Sequence, residues 1–418
     1  MAISVGSRST VSQQRYWFTP NGSKRWGGWQ MASSLVGGQY AYGGLTDQQN
    51  NYIGGAVTSA LERTSRRKHQ AAFNFTQVKL EFSNGVCDTK PTTASEHGSI
   101  TVGASLETAG GTIVPVTFDG GSSTKVMSVD TTAVSDAVNF SASEGEVFWV
   151  RTYVRSEIGY RYPQNMLTDQ NAGEGTVTGN STLSGTIAAS NQRAYTATAV
   201  LAQRSVPTPN VLFIGDSITV GRSESSDQTY PDRSRGWVGR IMSGTLPHYR
   251  MAVGGDRAWY VPSDWALRHD IPDSGGFSHA VVAFGVNDLQ DTPFQTDAEL
   301  LSSLSVLLQW LADAGIPKIY ATTVTPFSVT GPYTSAGSQG YNATFETRRQ
   351  AVNTAIRSLW DSNLDGYIDT AIAVEDPVNP AVWRSDGGIA YTNDGTHPNS
   401  LGHDAIAASV NAQKLFAV

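Results

Sequence analysis

Three nearly unbroken apolar runs constrain this chain more than any other feature: Val211-Leu212-Phe213-Ile214, Ala280-Val281-Val282-Ala283-Phe284 and Ile319-Tyr320-Ala321-Thr322. A strand with one wet face alternates apolar and polar residues; a strand covered on both faces does not, and such strands belong to parallel sheets. The stretches between these runs have the period of helices. Leu300, Leu301, Leu304, Leu307, Leu308 and Leu311 make one stripe of a 3.6-residue repeat. Thr296 with Glu299 forms a capping box ahead of it, and Gly315 with Pro317 ends it. A weaker strand at Arg250-Met251-Ala252-Val253, a helix over about 342–360, a short strand at Tyr367-Ile368 and a last helix over 400–416 continue the alternation. Five strands alternating with helices predict a three-layer α/β fold for residues 206–418.

Before residue 206 the rhythm is that of antiparallel strands. Val78-Lys79-Leu80-Glu81-Phe82 alternates apolar and charged residues; Ile100, Val102, Ala104 and Leu106 share a face, as do Phe148, Val150, Thr152 and Val154. Gly/Ser/Asp clusters such as Asp119-Gly120-Gly121-Ser122 separate them, so residues 1–205 are expected to form a β-sandwich or jelly roll. The first 65 residues, with Gly37–Gly44 among them, yield no readable element. Val206-Pro207-Thr208-Pro209-Asn210 reads as the linker between the two halves.

Composition narrows the function. A chain of 418 residues has room for two or three domains, and it carries no apolar run of membrane-spanning length. Charged residues are only 16%, so Ser, Thr, Asn and Gln must wet the surface, a habit of β-rich proteins that work outside cells. The net charge of −7 and the absence of a long basic run argue against a nucleic-acid partner. The single Cys87 excludes an internal disulfide and a cysteine zinc site; it is expected to be an inert buried thiol. The N-terminus lacks a basic start and an apolar core, so a secreted or virion-associated protein would travel without a classical signal peptide.

Four short motifs sit at the ends of the α/β elements. Gly215-Asp216-Ser217 follows the first strand, Gly254-Gly255-Asp256 the second and Gly285-Val286-Asn287-Asp288 the third; Asp394-Gly395-Thr396-His397 precedes the last helix. Each alone is most often a turn. Together, at one edge of the sheet, they supply a nucleophile, a base, an orienting acid and oxyanion donors. Serine needs a base to take its proton as it attacks. His397 can do so, with Asp394 fixing its tautomer. The backbone N–H groups of Ser217 and Gly255 and the Asn287 side chain would then face the developing oxyanion. This chemistry calls for no metal or other cofactor.

In this order the four motifs, over residues 206–418, resemble the SGNH (GDSL) hydrolases. The resemblance implies a serine esterase on a flavodoxin-like sheet, with Ser217 as nucleophile, Gly255 and Asn287 in the oxyanion hole, and Asp394 with His397 as the acid–base pair. Met251-Ala252-Val253-Gly254 departs from the Asn or Ser that begins the second motif in many members; Gly255 is preferred as donor because Asp256 follows it.

Asp216, Trp383 and Tyr391 are expected to contact substrate, the last two from the segment leading into Asp394. His403 is expected to be a surface or packing residue rather than to react, and Asp361–Gly366 to end a helix rather than bind calcium, since Ile372 stands where a calcium loop has its glutamate. The loops at 222–237 and 376–393 are polar with scattered aromatics, and no long apolar lid appears. These features favour a short acyl ester on a sugar, and esterases that the chain resembles often pair the hydrolase with a β module. The expectation is therefore a carbohydrate O-acetylesterase. The alternatives are a generic short-chain esterase or thioesterase, and a phage tail-associated or surface glycan-binding module. Neither nucleic acid nor membrane is expected as a partner.

Overall fold

The computed structural model describes residues 30–31, 41–42, 60–84, 98–203 apart from 130, 159, 161, 165–167, 169 and 193, then 209–224, 236–242, 246–261 and 277–416. Cys87, Gly37–Gly44 apart from Ala41 and Tyr42, and most of the expected linker lie outside the described residues.

Residues 62–202 form two antiparallel sheets around one core. The first contains β1 (Glu62–Gln70), β3 (Ile100–Thr108), β4 (Ile113–Val116), β8 (Val147–Ser156) and β9 (Gly175–Thr178), in the order β9-β1-β8-β3-β4, with β5 (Lys125–Met127) also on β3. The second centres on β2 (Phe75–Ser83), which pairs with β10 (Ala199–Ala202) on one side and with β6 (Thr132–Val134) and β7 (Val138–Ala142) on the other. Alternate residues point inward as the period of two requires: Val78, Leu80 and Phe82 meet Val102, Leu106, Phe148, Val150 and Val154 in one apolar cluster.

The opposite faces are drier than alternation implied. Arg151 and Tyr153 are buried: residues 181–185 lie over Arg151, and Tyr153 gives its hydroxyl to Glu62 Oε2 at 2.8 Å. Arg151 donates to the Ser181 and Gly185 carbonyls, both at 3.0 Å, and to Glu107 at 2.8 Å, so its charge is buried with partners. Strand β10 belongs to both halves of the chain. Its Val200 and Ala202 enter the β core, whereas Ala199 and Leu201, fully buried, join the apolar cluster of the α/β half. Glu81, paired with Ala199, is buried for the same reason, and its Oε1 accepts from Thr198 Oγ1 at 3.2 Å.

Beyond residue 209 the chain forms a parallel sheet of β11 (Val211–Gly215), β12 (His248–Ala252), β13 (His279–Ala283), β14 (Lys318–Thr322) and β15 (Gly366–Ile368). The order is β12-β11-β13-β14-β15, the 2-1-3-4-5 winding of flavodoxin-like folds. Both faces are covered, as the unbroken apolar runs demand. Leu212, Ile214, Ala280 and Val282 pack against α4 (Asp297–Asp313) and α5 (Ala343–Arg357). Val211, Phe213 and Val281 pack on the other side against α2 (Gly236–Met242) and α7 (Ser400–Ala408). Three shorter helices follow strands: α1 (Ser217–Val220), α3 (Val286–Gln290) and α6 (Thr370–Val374). The Thr296–Glu299 capping box is formed in full.

The helix expected over 400–416 is two pieces. Ser409 N–H reaches back to Ala405 and Ile406, the chain turns, and a separate turn at Ala412–Leu415 carries Phe416 onto Phe213, His279 and Tyr320. One straight helix would leave that ring in solvent.

Candidate active site

The site begins at the C-terminal end of β11. Gly215 is required there: a methyl group on it would lie 2.2 Å from Thr219 Oγ1 and 2.7 Å from the Ala283 carbonyl. The close turn lets Asp216 cap α1, its Oδ1 accepting from Ile218 N–H at 2.9 Å, and makes Ser217 the first helical residue. In that position the Ser217 N–H has no intrahelical acceptor.

Ser217 Oγ lies 2.8 Å from His397 Nε2, and His397 Nδ1 lies 2.7 Å from Asp394 Oδ2. The other Asp394 oxygen accepts the backbone N–H groups of Thr396 and His397 at 2.9 and 2.8 Å, so one carboxylate folds the turn and orients the ring. Burial works to raise the Asp394 pKa, but the bonds from the His397 ring and from these N–H groups hold it well below the usual carboxylate range. An ionised Asp394 places the proton on Nδ1 and leaves Nε2 free to accept from serine.

The turn itself is clamped. Gly395, at φ 79°, would carry a methyl 2.1 Å from the Ser328 carbonyl oxygen, so only glycine fits. Its carbonyl accepts from Ser328 N–H at 2.9 Å and from Trp383 Nε1 at 2.8 Å. Ser328 and Gln339 were not legible as site residues, since their role arises from contacts far apart in sequence: Gln339 accepts from Ser328 Oγ and from Trp383 N–H, and donates to the Trp383 carbonyl.

The second and third motifs join the first through hydrogen bonds. Val253 N–H donates to the Gly215 carbonyl at 3.0 Å, and Asn287 Nδ2 to the Asp256 carbonyl at 3.0 Å and Asp216 Oδ2 at 3.3 Å. Asn287 is thus held with its amide nitrogen toward the first motif, both protons engaged. The N–H groups of Ser217 and Gly255 have no acceptor among the described residues.

Two of the three expected substrate contacts, Trp383 and Asp216, are corrected, and the third, Tyr391, is half-buried. Trp383 is fully buried, with its indole N–H committed to Gly395. Asp216 is 3% exposed, and its carboxyl is taken up by the helix cap and Asn287. Tyr391 gives its hydroxyl to Asp386 at 2.8 Å, with the Arg384 guanidinium over its ring. His403 packs as expected, its Nδ1 accepting from Trp237 N–H and its Nε2 donating to the Arg222 carbonyl. The loop 225–235 lies outside the described residues.

Beneath the site lie three buried carboxyls, Asp216, Asp256 and Asp288. Burial first, and then mutual repulsion, pushes Asp216 up to about 7 and Asp288 up to about 8. Asp288 Oδ1 accepts from Ala258 N–H at 2.9 Å, while its Oδ2 has no partner among the described residues. Because these groups hold protons that an unfolded chain releases near pH 4, their contribution is complete below about pH 4 and is lost as pH rises toward 8. Asp394, with its lowered value, acts oppositely, and its contribution is lost as pH falls below about 4. The expected result for Asp288→Asn is a gain of roughly 1–3 kcal/mol at pH 8.5 that shrinks toward pH 5, read from urea unfolding at each pH. A gain that is the same at both pH values would mean that Asp288 is ionised in the folded protein throughout.

Comparison with known proteins matches residues 213–405 to the GDSL-like lipase/acylhydrolase family. No curated protein matches the chain. Among solved structures, a family two carbohydrate esterase from Clostridium thermocellum, in complex with cellohexaose, is 14% identical over 91% of this chain and 97% of its own, with a TM-score of 0.36. A carbohydrate esterase family 2 enzyme plus carbohydrate binding domain from Corynascus thermopiles (Myceliophthora fergusii) is 15% identical over 90% of this chain and 98% of its own, with a TM-score of 0.37. The M. smegmatis aryl esterase is 16% identical over 50% of this chain and 98% of its own, with a TM-score of 0.35. The phage tail alternative finds no support in these matches.

Proposed function

Since residues 213–405 belong to the GDSL-like lipase/acylhydrolase family and the protein is a hydrolase of ester bonds, we propose that Ser217, His397 and Asp394 act as a catalytic triad on short acyl esters of carbohydrates. The observation that carries this reading is the continuous chain from Ser217 Oγ through the His397 ring to Asp394, at 2.8 and 2.7 Å. Ser217 Oγ attacks the acyl carbonyl while His397 Nε2 takes its proton. The oxyanion is met by the N–H groups of Ser217 and Gly255 and by the Asn287 amide, which gives up its long bond to Asp216 to reach it. As the tetrahedral intermediate collapses, His397 returns the proton to the leaving alcohol, and an acyl-enzyme remains. A water molecule, activated by the same imidazole, then releases the acid and restores Ser217.

Two features support a hydrophilic alcohol and a short acyl group. The mouth beside the triad is polar: the Asp394 side chain is 44% exposed, Ser223 Oγ donates to it at 3.4 Å, and the adjoining Arg222 and Asn393 are exposed. Among the described residues no apolar lid covers the serine. In this reading residues 1–205 form a jelly roll that brings the polymer to a catalytic domain at 206–418, the two joined along β10 in an extracellular protein.

Acetate release from acetylated xylan or a related polysaccharide tests the substrate class. On p-nitrophenyl esters kcat/KM should fall steeply from acetyl to butyryl and be roughly 10²-fold lower for octanoyl, because a longer chain crowds the polar mouth and gains no transfer energy to offset that cost. Octanoyl rates equal to acetyl rates would make the protein a lipase-like enzyme instead.

A further inference from the structure

The structure assigns Tyr333 as a specificity-determining residue that binds the sugar ring of the leaving alcohol; this rests on the ester-hydrolase reading above and names the side of the site on which the sugar lies. Tyr333 stands on the segment that links the strand pair Ser328–Thr330 and Gly340–Tyr341, and that pair is fastened to the triad turn by the bond from Ser328 N–H to the Gly395 carbonyl. The ring is half-buried. Its hydroxyl reaches Gly395 itself: a methyl group there would lie 3.0 Å from Tyr333 Oη. Gly395 is the residue between Asp394 and Thr396, so the phenol borders the turn that carries His397.

Chemistry decides which part of the substrate this ring meets. His397 Nε2 takes a proton from Ser217 and must return it to the leaving oxygen, so the alcohol lies on the His397 side of the carbonyl. The acyl oxygen points the other way, toward Ser217, Gly255 and Asn287. A group bordering the His397 turn is therefore on the alcohol's side of the carbonyl rather than the oxyanion's. The Tyr333 hydroxyl has no hydrogen-bond partner among the described residues, and its neighbours Gly331 and Pro332 are exposed. By contrast, Tyr391 has spent its hydroxyl on Asp386, and Trp383 lies in the core. A half-buried aromatic plate with an uncommitted phenol is suited to a sugar, whose C–H face stacks on the ring while a hydroxyl bonds the oxygen.

The experiment compares a mono-acetylated methyl xyloside with ethyl acetate, which has the same acyl group and no ring. In Tyr333→Ala the ratio of kcat/KM, xyloside over ethyl ester, should drop about tenfold, through KM for the xyloside. In Tyr333→Phe, which keeps the plate and loses one neutral hydrogen bond, it should drop about threefold. A ratio within about twofold of the wild type in both variants overturns the assignment, as does an equal loss on both esters. Wild-type protein that hydrolyses ethyl acetate but not the xyloside overturns it too. Absence of Ser217-dependent turnover of either ester would instead overturn the functional reading on which it rests.

Discussion

Ser217→Ala is expected to lower kcat on p-nitrophenyl acetate by about 10⁴–10⁶ while leaving the fold intact. The change removes one oxygen from a residue whose backbone does the structural work: Asp216 still caps α1 through Ile218 N–H, and residue 217 still begins the helix. What is lost is the atom 2.8 Å from His397 Nε2. Any activity that survives must come from water attacking in its place, helped only by the oxyanion donors. The measurement is a progress curve beside a near-ultraviolet circular dichroism spectrum. An unchanged spectrum with more than about a hundredth of the activity would place the nucleophile elsewhere.

The second large effect belongs to Asp394. Asp394→Asn keeps a carbonyl oxygen for the N–H groups of Thr396 and His397, so the turn should survive. The amide then presents N–H to His397 Nδ1, where the carboxylate had accepted. The ring answers with the other tautomer, with its proton on Nε2, and a protonated Nε2 cannot accept from Ser217. In a serine protease triad the same exchange costs about 10⁴ in kcat. A loss of about 10²–10⁴ is expected here, because the Asp394 side chain is partly open to water. His397→Ala should match Ser217→Ala, and the double variant should be no worse than either, since groups that act as a unit do not add. An Asp394→Asn enzyme within about tenfold of the wild type would mean that the ring is oriented by something else.

Local patterns along the chain specified the elements and singled out Ser217, His397 and Asp394, which the structure brings within hydrogen-bond distance of one another. An apolar run such as Val211–Ile214 has only one way to satisfy both faces, which is to lie inside a parallel sheet between two helical layers; the leucine stripe and its capping box likewise specify their helix locally. The four motifs were legible for the same reason, since each sits where a strand or loop meets a helix, and short-range spacing carries that information. Which polar and aromatic side chains face substrate was a matter for packing. Trp383 and Asp216 have the composition of binding residues, yet one is buried under Gly395 and the other is locked between a helix cap and Asn287. Ser328 and Gln339 act on the triad turn from a distant part of the chain, a relation that no local pattern encodes. The same holds for β10, a run of four apolar residues too short to show a period: both of its faces are buried because two separate cores close on it, and only long-range contacts could bring the second core there.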